Sequence, residues 1–599
     1  MIFDLLFYIL YLMLIPDMLH IMQQESYQND GMFRWLSKNL KKAFNNRLII
    51  LLVTTLTYLI SNVGLNLAIN KGIIDLNSYS INELRYIVHI PRFASMLVLT
   101  IACIVVMIKS HKERKNAKKP LKYTARVKRL IVYNFFVAVI LEVLFMITLE
   151  PYAGPATYYD SLIYAFLIFT IPFNMIIANC FVSPLERIFA NRYMQKAFNK
   201  LAKPEYKNLI KIGITGSYGK TSTKMILKTI LEEKYNVLAT PGSFNTSMGN
   251  VKVIREQLKP EHQVFISEMG ARKKNDINEI CEFVNPQIGI ITSIGAQHLE
   301  TFKNINNVAK TKGELLYGVK NKKILGKSSQ YESVWNMMKE TISSLISKPI
   351  EGTFDPKLKY VFEDGAVFLN KDGDKCEELY NKDSHDKKYL FSLDDNKADI
   401  YAKNIKTGVD GSEFTVVSSK NKEYTCKTRL LGKHNVQNII CAIGVAEYLG
   451  LSKEQIISGV SKIEPVEHRL QLLPTTNGTT VIDDAFNSNP IGSKYALEVI
   501  KEFKGRKIII TPGMVELGTE EEKLNKEFGK QMAESVDIAI LVGINHTKPI
   551  QEGLKENNFD DMNIYVVPSL DEATKKLGEL AKAGDVILFE NDLPDSYNE

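Results

Sequence analysis

Two patterns of apolar residues divide the chain. Ahead of residue 185 they run in long unbroken stretches, at approximately 3–20, 48–69, 93–110, 130–150 and 158–182. Each approaches the ~20 residues a helix needs to cross ~30 Å of hydrocarbon, so residues 1–183 are expected to form about five transmembrane helices. The first stretch has no positive charge ahead of it and no small-residue cleavage site after it, which sets it apart from a signal peptide. Past an amphipathic connector at 184–206 the apolar runs shorten and change period. Leu209–Thr215 (LIKIGIT) reads as a buried parallel strand and Thr223–Lys234 as a helix. After Pro465 a second alternation places strands at TTVIDDAF, RKIIITPG, DIAILVG, NIYVVPS and DVILFEND, with helices between. The expected fold is an N-terminal α-helical transmembrane region followed by α/β, with a central domain over 207–464 and a Rossmann-like domain over 465–599. The polar stretch from about Lys320 to Lys427, with alternating runs such as SEFTVVSS, predicts β-hairpins or an edge extension of the central domain.

The net charge of +8 changes meaning once the basic residues are placed. His111–Arg129 holds about nine Lys and Arg and Arg34–Arg47 is also basic, whereas Glu150–Asp160 has none. Positive charge collects in cytoplasmic loops, so the N-terminus is expected outside and everything after about Ser183 inside, as in a multi-pass protein of the cytoplasmic membrane. These loops lack interleaved aromatics, so anionic lipid heads are their expected neighbours and a nucleic-acid partner is not expected. The six cysteines are scattered without a CxxC and read as packing residues in a reducing compartment. Glu142 is the one acid in the middle of an apolar run, and packing against another helix explains it as well as function does. NKDSHDKK reads as a solvated loop rather than a metal site.

Between the strand at 209–215 and the helix lies Gly216-Ser217-Tyr218-Gly219-Lys220-Thr221-Ser222. A strand, a glycine turn and a helix N-terminus cradle phosphate, because glycine lets backbone N–H groups approach the oxygens and the helix adds partial positive charge. Lys220 would neutralise the β- and γ-phosphates of ATP and the Thr221 hydroxyl would ligate Mg²⁺. The spacing is the short TGxxGKT/S form, since Ile214 stands where GxxxxGK[ST] has its first glycine.

Further blocks follow in a fixed order: TPGSFNTSMG (240–249), ISEMGARKKNDI (266–277), ITSIGAQHLETF…VAKTKGELL (291–316), LGKHNVQNIICAIGVA (431–446) and IDDAFNSNP (482–490). With TGSYGKTS they resemble the Mur ligase family, nearest to its D-alanyl-D-alanine-adding branch, over roughly residues 205–560. The resemblance implies a P-loop Mur ligase central domain and ATP-dependent, ADP-forming joining of a carboxylate to an amine through an acyl-phosphate. It implies catalytic roles for Lys220, Glu268, His298 and Lys312, with Thr221, Glu268, His298 and Lys312 around Mg²⁺. Lys312, with Lys310 as its neighbour, matches a lysine that many members carry as a carbamate, and an ordinary surface lysine is the alternative. Asn435 and Asn438 match positions near the base and ribose, or else cap a helix. Arg469, Asp484 and Asn487 match positions that meet the nucleotide when the C-terminal domain closes.

Three departures bear on the substrate. The domain that grips the UDP end of the usual precursor is replaced by apolar helices. Gly513 in TPGMVELG stands where the branch carries Asp, and ILFENDLPDSYNE replaces a basic KGSR-like segment. The expected partners are an amino acid or dipeptide and an envelope precursor, lipid-linked in the leading reading and UDP-linked in the other. An inactive membrane scaffold, or an ATP-binding sensor or motor, is the alternative function. A motor would carry a Walker B run ending in Asp and a signature loop instead of Glu268, His298 and Lys312.

Overall fold

The computed structural model describes residues 2–592 apart from 75–78, 81–86, 88, 116, 118, 150–159, 321–364, 374, 394, 420–421, 477 and 487. The chain separates into two compact units, Met1–Ala190 and Asn191–Leu593.

In the first unit, four helices are long and apolar enough to cross a membrane: Phe3–Gln24, Leu40–Asn70, Ile90–Lys115 and Ala125–Thr148. A helix that is apolar all round belongs in a large core or in lipid. Here much apolar surface points outward, with Leu56 58%, Ile60 63%, Leu97 62% and Ile147 62% exposed. The interior is built of Phe7, Tyr11, Leu99, Leu130 and Tyr164, and the rings of Phe7 and Tyr164 stack 4.3 Å apart. Polar ties join the helices: the Tyr11 hydroxyl donates to Asn134 Oδ1 at 2.7 Å, and Asn174 Nδ2 donates to the Tyr11 oxygen at 3.1 Å. Glu142 accepts from the Tyr8 hydroxyl, so this acid is matched by a neighbouring helix. The last apolar stretch departs from the expected single helix. It forms Asp160–Phe169 and Ile171–Leu201, bent by 68°. Pro172 has no N–H for the helical ladder, and the Thr170 hydroxyl bonds back to the Leu167 carbonyl at 2.9 Å, which together loosen that turn. The expected connector is the end of this second helix followed by a short turn, Pro204–Tyr206.

The second unit holds two sheets. Strands β1 (Ile210–Thr215), β2 (Val237–Ala239), β3 (Val264–Glu268), β4 (Ile288–Ile291), β5 (Ala366–Asn370), β6 (Lys387–Ser392), β7 (Ile400–Gly408), β8 (Gly411–Ser418) and β9 (Lys422–Thr428) form a nine-stranded sheet in the order β2-β3-β1-β4-β5-β6-β7-β8-β9. Its strands pair in parallel through β7, and β7, β8 and β9 close the edge as an antiparallel meander. The meander is the expected edge extension; β5 and β6 instead continue the parallel sheet. The central strands are apolar on both faces because helices cover both. The helix Lys220–Leu231 packs on β1 and β3 and the buried helix Lys433–Tyr448 on β5 to β8, so that Ile212, Ile266, Ile290, Val436 and Ile440 share one core, while Phe265 and Ile291 face the opposite core. β1 lies between β3 and β4, so the chain order reverses there and leaves a crevice at the carboxyl ends of these three strands.

The C-terminal sheet comprises β10 (Gln471–Leu473), β11 (Thr480–Asp484), β12 (Lys507–Thr511), β13 (Ile538–Val542), β14 (Ile564–Val567) and β15 (Val586–Glu590), ordered β10-β11-β15-β12-β13-β14. Five of these are the expected Rossmann-like strands. β10, the added one, pairs antiparallel with β11 at the edge.

Candidate active site

The phosphate loop leaves β1 at Thr215. Gly216 has φ 153°, and a Cβ there would lie 2.1 Å from Thr292 Oγ1; Gly219 has φ 78°, and its Cβ would lie 2.6 Å from Asn438 Oδ1. Only glycine fits either position. The left-handed turn at Gly219 starts the helix at Lys220, three residues ahead of the expected Thr223. Lys220, Thr221 and Ser222 therefore occupy its first turn, where backbone N–H groups have no helical acceptor. The loop is tied to the end of β4: the Tyr218 N–H donates to Ser293 Oγ at 2.9 Å and the Gly295 N–H to Ser217 Oγ at 3.0 Å. The Lys220 ammonium folds over its own loop, donating to the carbonyls of Gly216 (2.6 Å) and Ser217 (3.1 Å). Burial, with Arg469 adding to it against the pull of Glu268, brings its pKa down to about 8.

Glu268 ends β3 with its side chain fully buried and becomes the hub of the crevice. Its carboxylate accepts from Thr221 Oγ1 at 3.1 Å, Asn245 Nδ2 at 3.2 Å and Lys224 Nζ at 2.8 Å. Lys224 and Asn245 were not singled out from sequence. Lys224 carried a signal: it lies one helical turn beyond Lys220 and so shares its face. It is completely buried, and an unpaired ammonium there would be prohibitive, so Lys224 and Glu268 depend on each other.

β4 ends at Ile291, where Thr292 and Ser293 turn their hydroxyls to the Tyr218 carbonyl. His298 follows in the left-handed conformation (φ 52°) ahead of the helical turn Leu299–Phe302. Its Nδ1 bonds the Glu516 carboxylate of the C-terminal domain, and burial outweighs that partner in lowering its pKa. Lys312 ends the helix Ile305–Lys312 and is buried. Burial first, then Lys220, depress its pKa to about 7, so a large share of it is the neutral amine at neutral pH.

The structure distinguishes the two asparagines. Asn438 accepts from Thr223 Oγ1 at 3.1 Å beside the phosphate loop, whereas Asn435 donates to the Leu431 carbonyl at 3.0 Å. Neither caps the helix, which starts after Gly432. Arg469 donates to the Phe486 carbonyl at 2.8 Å and lies over that ring. Burial lowers its pKa, with Asp484 opposing, while burial raises Asp484 to about 6 against the pull of Arg469. Asn487 lies outside the described residues. In NKDSHDKK, His385 is buried and bonded to Asp383 at 2.8 Å, so this loop is less solvated than its composition suggests.

Sequence reasoning also passed over Glu590, at the end of β15. It is fully buried, accepts from Thr511 Oγ1 at 2.8 Å and from the Ser488 hydroxyl, and burial raises its pKa to about 8. The folded state thus holds a proton that the unfolded carboxyl releases near pH ~4.3. Its stabilising effect is complete below the unfolded pKa and fades as pH rises toward 8. Glu590→Gln is expected to raise the melting temperature at pH 8.5 and leave it nearly unchanged at pH 5, as read by scanning calorimetry. Equal shifts at both pH values would contradict the burial of a protonated acid.

Known proteins resemble this chain in sequence and fold. The Mur ligase middle domain matches residues 214–355 and 357–446, and the Mur ligase glutamate ligase domain matches residues 468–590. The chain is 27% identical over 383 residues to the UDP-N-acetylmuramoyl-tripeptide--D-alanyl-D-alanine ligase of Bacillus subtilis, covering 63% of this chain and 72% of that one. It is 25% identical over 333 residues to the Escherichia coli ligase of that name, covering 55% of this chain and 64% of that one, less than two thirds of the relative. Among solved structures, MurF from Acinetobacter baumannii superposes with TM-score 0.53 at 21% identity, covering 67% of this chain and 78% of that one. MurF ligase from Thermotoga maritima in complex with ADP gives TM-score 0.53 at 21% identity, covering 67% and 80%. At that identity the likeness is one of fold. With both domain families matched in order, the chain belongs to the Mur ligase family.

Proposed function

We propose that the chain is a membrane-anchored, ATP-dependent carboxylate–amine ligase that forms ADP, working through an acyl-phosphate on a cell-envelope precursor at the cytoplasmic face. The observation that carries the reading is the meeting of Lys220, Thr221 and Glu268 at the sheet crevice, with Lys224 holding Glu268. A carboxylate is a poor electrophile. Attack of its oxygen on the γ-phosphorus expels ADP and gives an acyl-phosphate, whose carbonyl then takes the amine and releases phosphate. Negative charge develops in both steps, so cations held in a water-poor crevice supply the stabilisation. Lys220 would exchange its loop carbonyls for phosphate oxygens, and the first turn of its helix would add N–H donors. Arg469, from the C-terminal domain, would add a second cation: its charge disfavours the charged form of Lys220 and is itself favoured by Glu268.

These residues fit magnesium bound together with a nucleotide. Among the described residues no three His, Cys, Asp or Glu side chains converge as an all-protein metal cage. Mg²⁺ suits such a site, since one or two carboxylates suffice beside substrate phosphates and water, without an all-protein cage. Thr221, Glu268 and His298 would hold it, with Lys312 as a fourth ligand once carbamylated; bound there, it would offset phosphate charge. The neutral amine of Lys312 is the form that reacts with carbon dioxide, which agrees with its depressed pKa.

The membrane reading draws support from the outward apolar faces of the first unit, and the cytoplasmic side of the ligase body from the positive charge of its basic loops. Curated relatives are named for a UDP-linked tripeptide and D-alanyl-D-alanine. We place the acceptor of this chain on a lipid carrier, because apolar helices stand where the UDP-gripping domain would be. Full-length protein in membranes, given lipid-linked and UDP-linked precursors with candidate amines, tests this. A mass-shifted lipid product supports it; response to UDP-linked precursors alone makes the helices an anchor only.

A further inference from the structure

We infer that Glu516 is a positioning residue through which docking of the C-terminal domain completes the cation site of the central domain. The inference rests on the ligase reading and deepens it. Glu516 lies in the loop after β12, and its carboxylate meets His298 Nδ1 across 218 residues of chain. An ionised carboxylate only accepts, so this bond fixes the proton on Nδ1 and leaves the Nε2 lone pair as the ring's free ligand atom. Histidines that bind metals characteristically donate their other N–H to a carboxylate in this way.

Two further features show that the contact is held from both sides. Arg272, from the loop after β3, stands 3.8 Å from the other Glu516 oxygen, and the Glu300 N–H donates to the Glu516 carbonyl at 3.3 Å. Both His298 (φ 52°) and Glu516 (φ 64°) adopt left-handed backbone, uncommon for such residues, and each does so where the other meets it. Gly518 packs against Leu299 in the same seam, with its Cβ position 3.4 Å from that residue's backbone. In an open enzyme His298 would lose Glu516, its C-terminal-domain acceptor among the described residues, and the ring would be free to rotate. Closure then does more than exclude water: it orients a ligand.

The experiment uses full-length protein in detergent micelles with a non-hydrolysable ATP analogue. Mn²⁺ retention is read by electron paramagnetic resonance, and nucleotide affinity is read separately in EDTA. Glu516→Ala is expected to weaken Mn²⁺ binding by about 10–100-fold, the usual cost of removing such a partner, while nucleotide affinity in EDTA stays unchanged. Glu516→Gln keeps a carbonyl acceptor for Nδ1–H and is expected to recover most of the loss. Arg272→Ala, at an exposed side chain, is expected to change little. Wild-type Mn²⁺ affinity in Glu516→Ala would overturn the inference and leave the ligase reading standing. An Arg272→Ala loss equal to that of Glu516→Ala would also overturn it, reducing Glu516 to a latch. Wild-type protein that takes up neither nucleotide nor Mn²⁺ would overturn the ligase reading, and the inference with it.

Discussion

Lys220→Ala is expected to cut substrate-dependent ADP release by on the order of 10²–10³-fold, the scale of removing one preorganised donor from developing charge. The geometry argues for the upper end. Lys220 reaches two loop carbonyls from the first helical turn, so its ammonium already stands where phosphate oxygens would replace them. Burial brings its pKa down to about 8 even though Glu268 favours the charge. Neither neighbouring lysine substitutes: Lys224 is committed to Glu268 and Lys312 is depressed further. Steady-state ADP release, with thermal melting to confirm the fold, checks this. Activity within a factor of two of wild type would remove the phosphate-loop account.

The second large effect separates catalysis from stability at Glu268. Glu268→Met strands the buried Lys224 ammonium, and Lys224→Met strands the carboxylate. Each is expected to cost about 3–5 kcal/mol, as breaking a buried pair does. The double substitution leaves two apolar side chains of similar length and is expected to regain most of that loss, since well-packed replacements of buried pairs are often neutral. Activity is expected to stay abolished in both variants that lack Glu268, because Glu268 also meets Thr221 beside the phosphate loop. Thermal unfolding and ADP release, measured together, read the two effects independently. Recovery of activity in the double variant would make Glu268 a structural group only.

What could be read in the sequence was what neighbouring residues determine among themselves. LIKIGIT is apolar on both faces because β1 is buried between helices, and the glycines after it are required by contacts of 2.1 and 2.6 Å. The C-terminal strands were legible for the same reason. What stayed hidden depends on partners far along the chain. Lys224 looks like a helix-surface lysine until Glu268 arrives from 44 residues away. Glu516 sits in an unremarkable loop until it meets His298. β5 and β6 carry strand signals, but their parallel pairing is decided by the sheet edge that β4 offers. The break after Phe169 was visible in principle at Pro172, yet the apolar run on either side concealed it.

Two of the expected departures from the D-alanyl-D-alanine-adding pattern are Gly513 and ILFENDLPDSYNE, the segment that contains the buried Glu590. Gly513 has φ 79°, and a Cβ there would stand 2.7 Å from Asn525 Oδ1, so restoring an Asp at this position would need both backbone and neighbour to move.

The most direct measurement supplies the precursor that supports ADP release with ¹⁸O in its carboxylate and analyses the liberated phosphate by mass spectrometry. An acyl-phosphate carries one carboxylate oxygen onto phosphorus, so phosphate bearing a single ¹⁸O is the expected result. Phosphate with only solvent oxygen would mean that water, not the carboxylate, attacks ATP, and would make this chain a hydrolytic sensor or motor on a ligase fold.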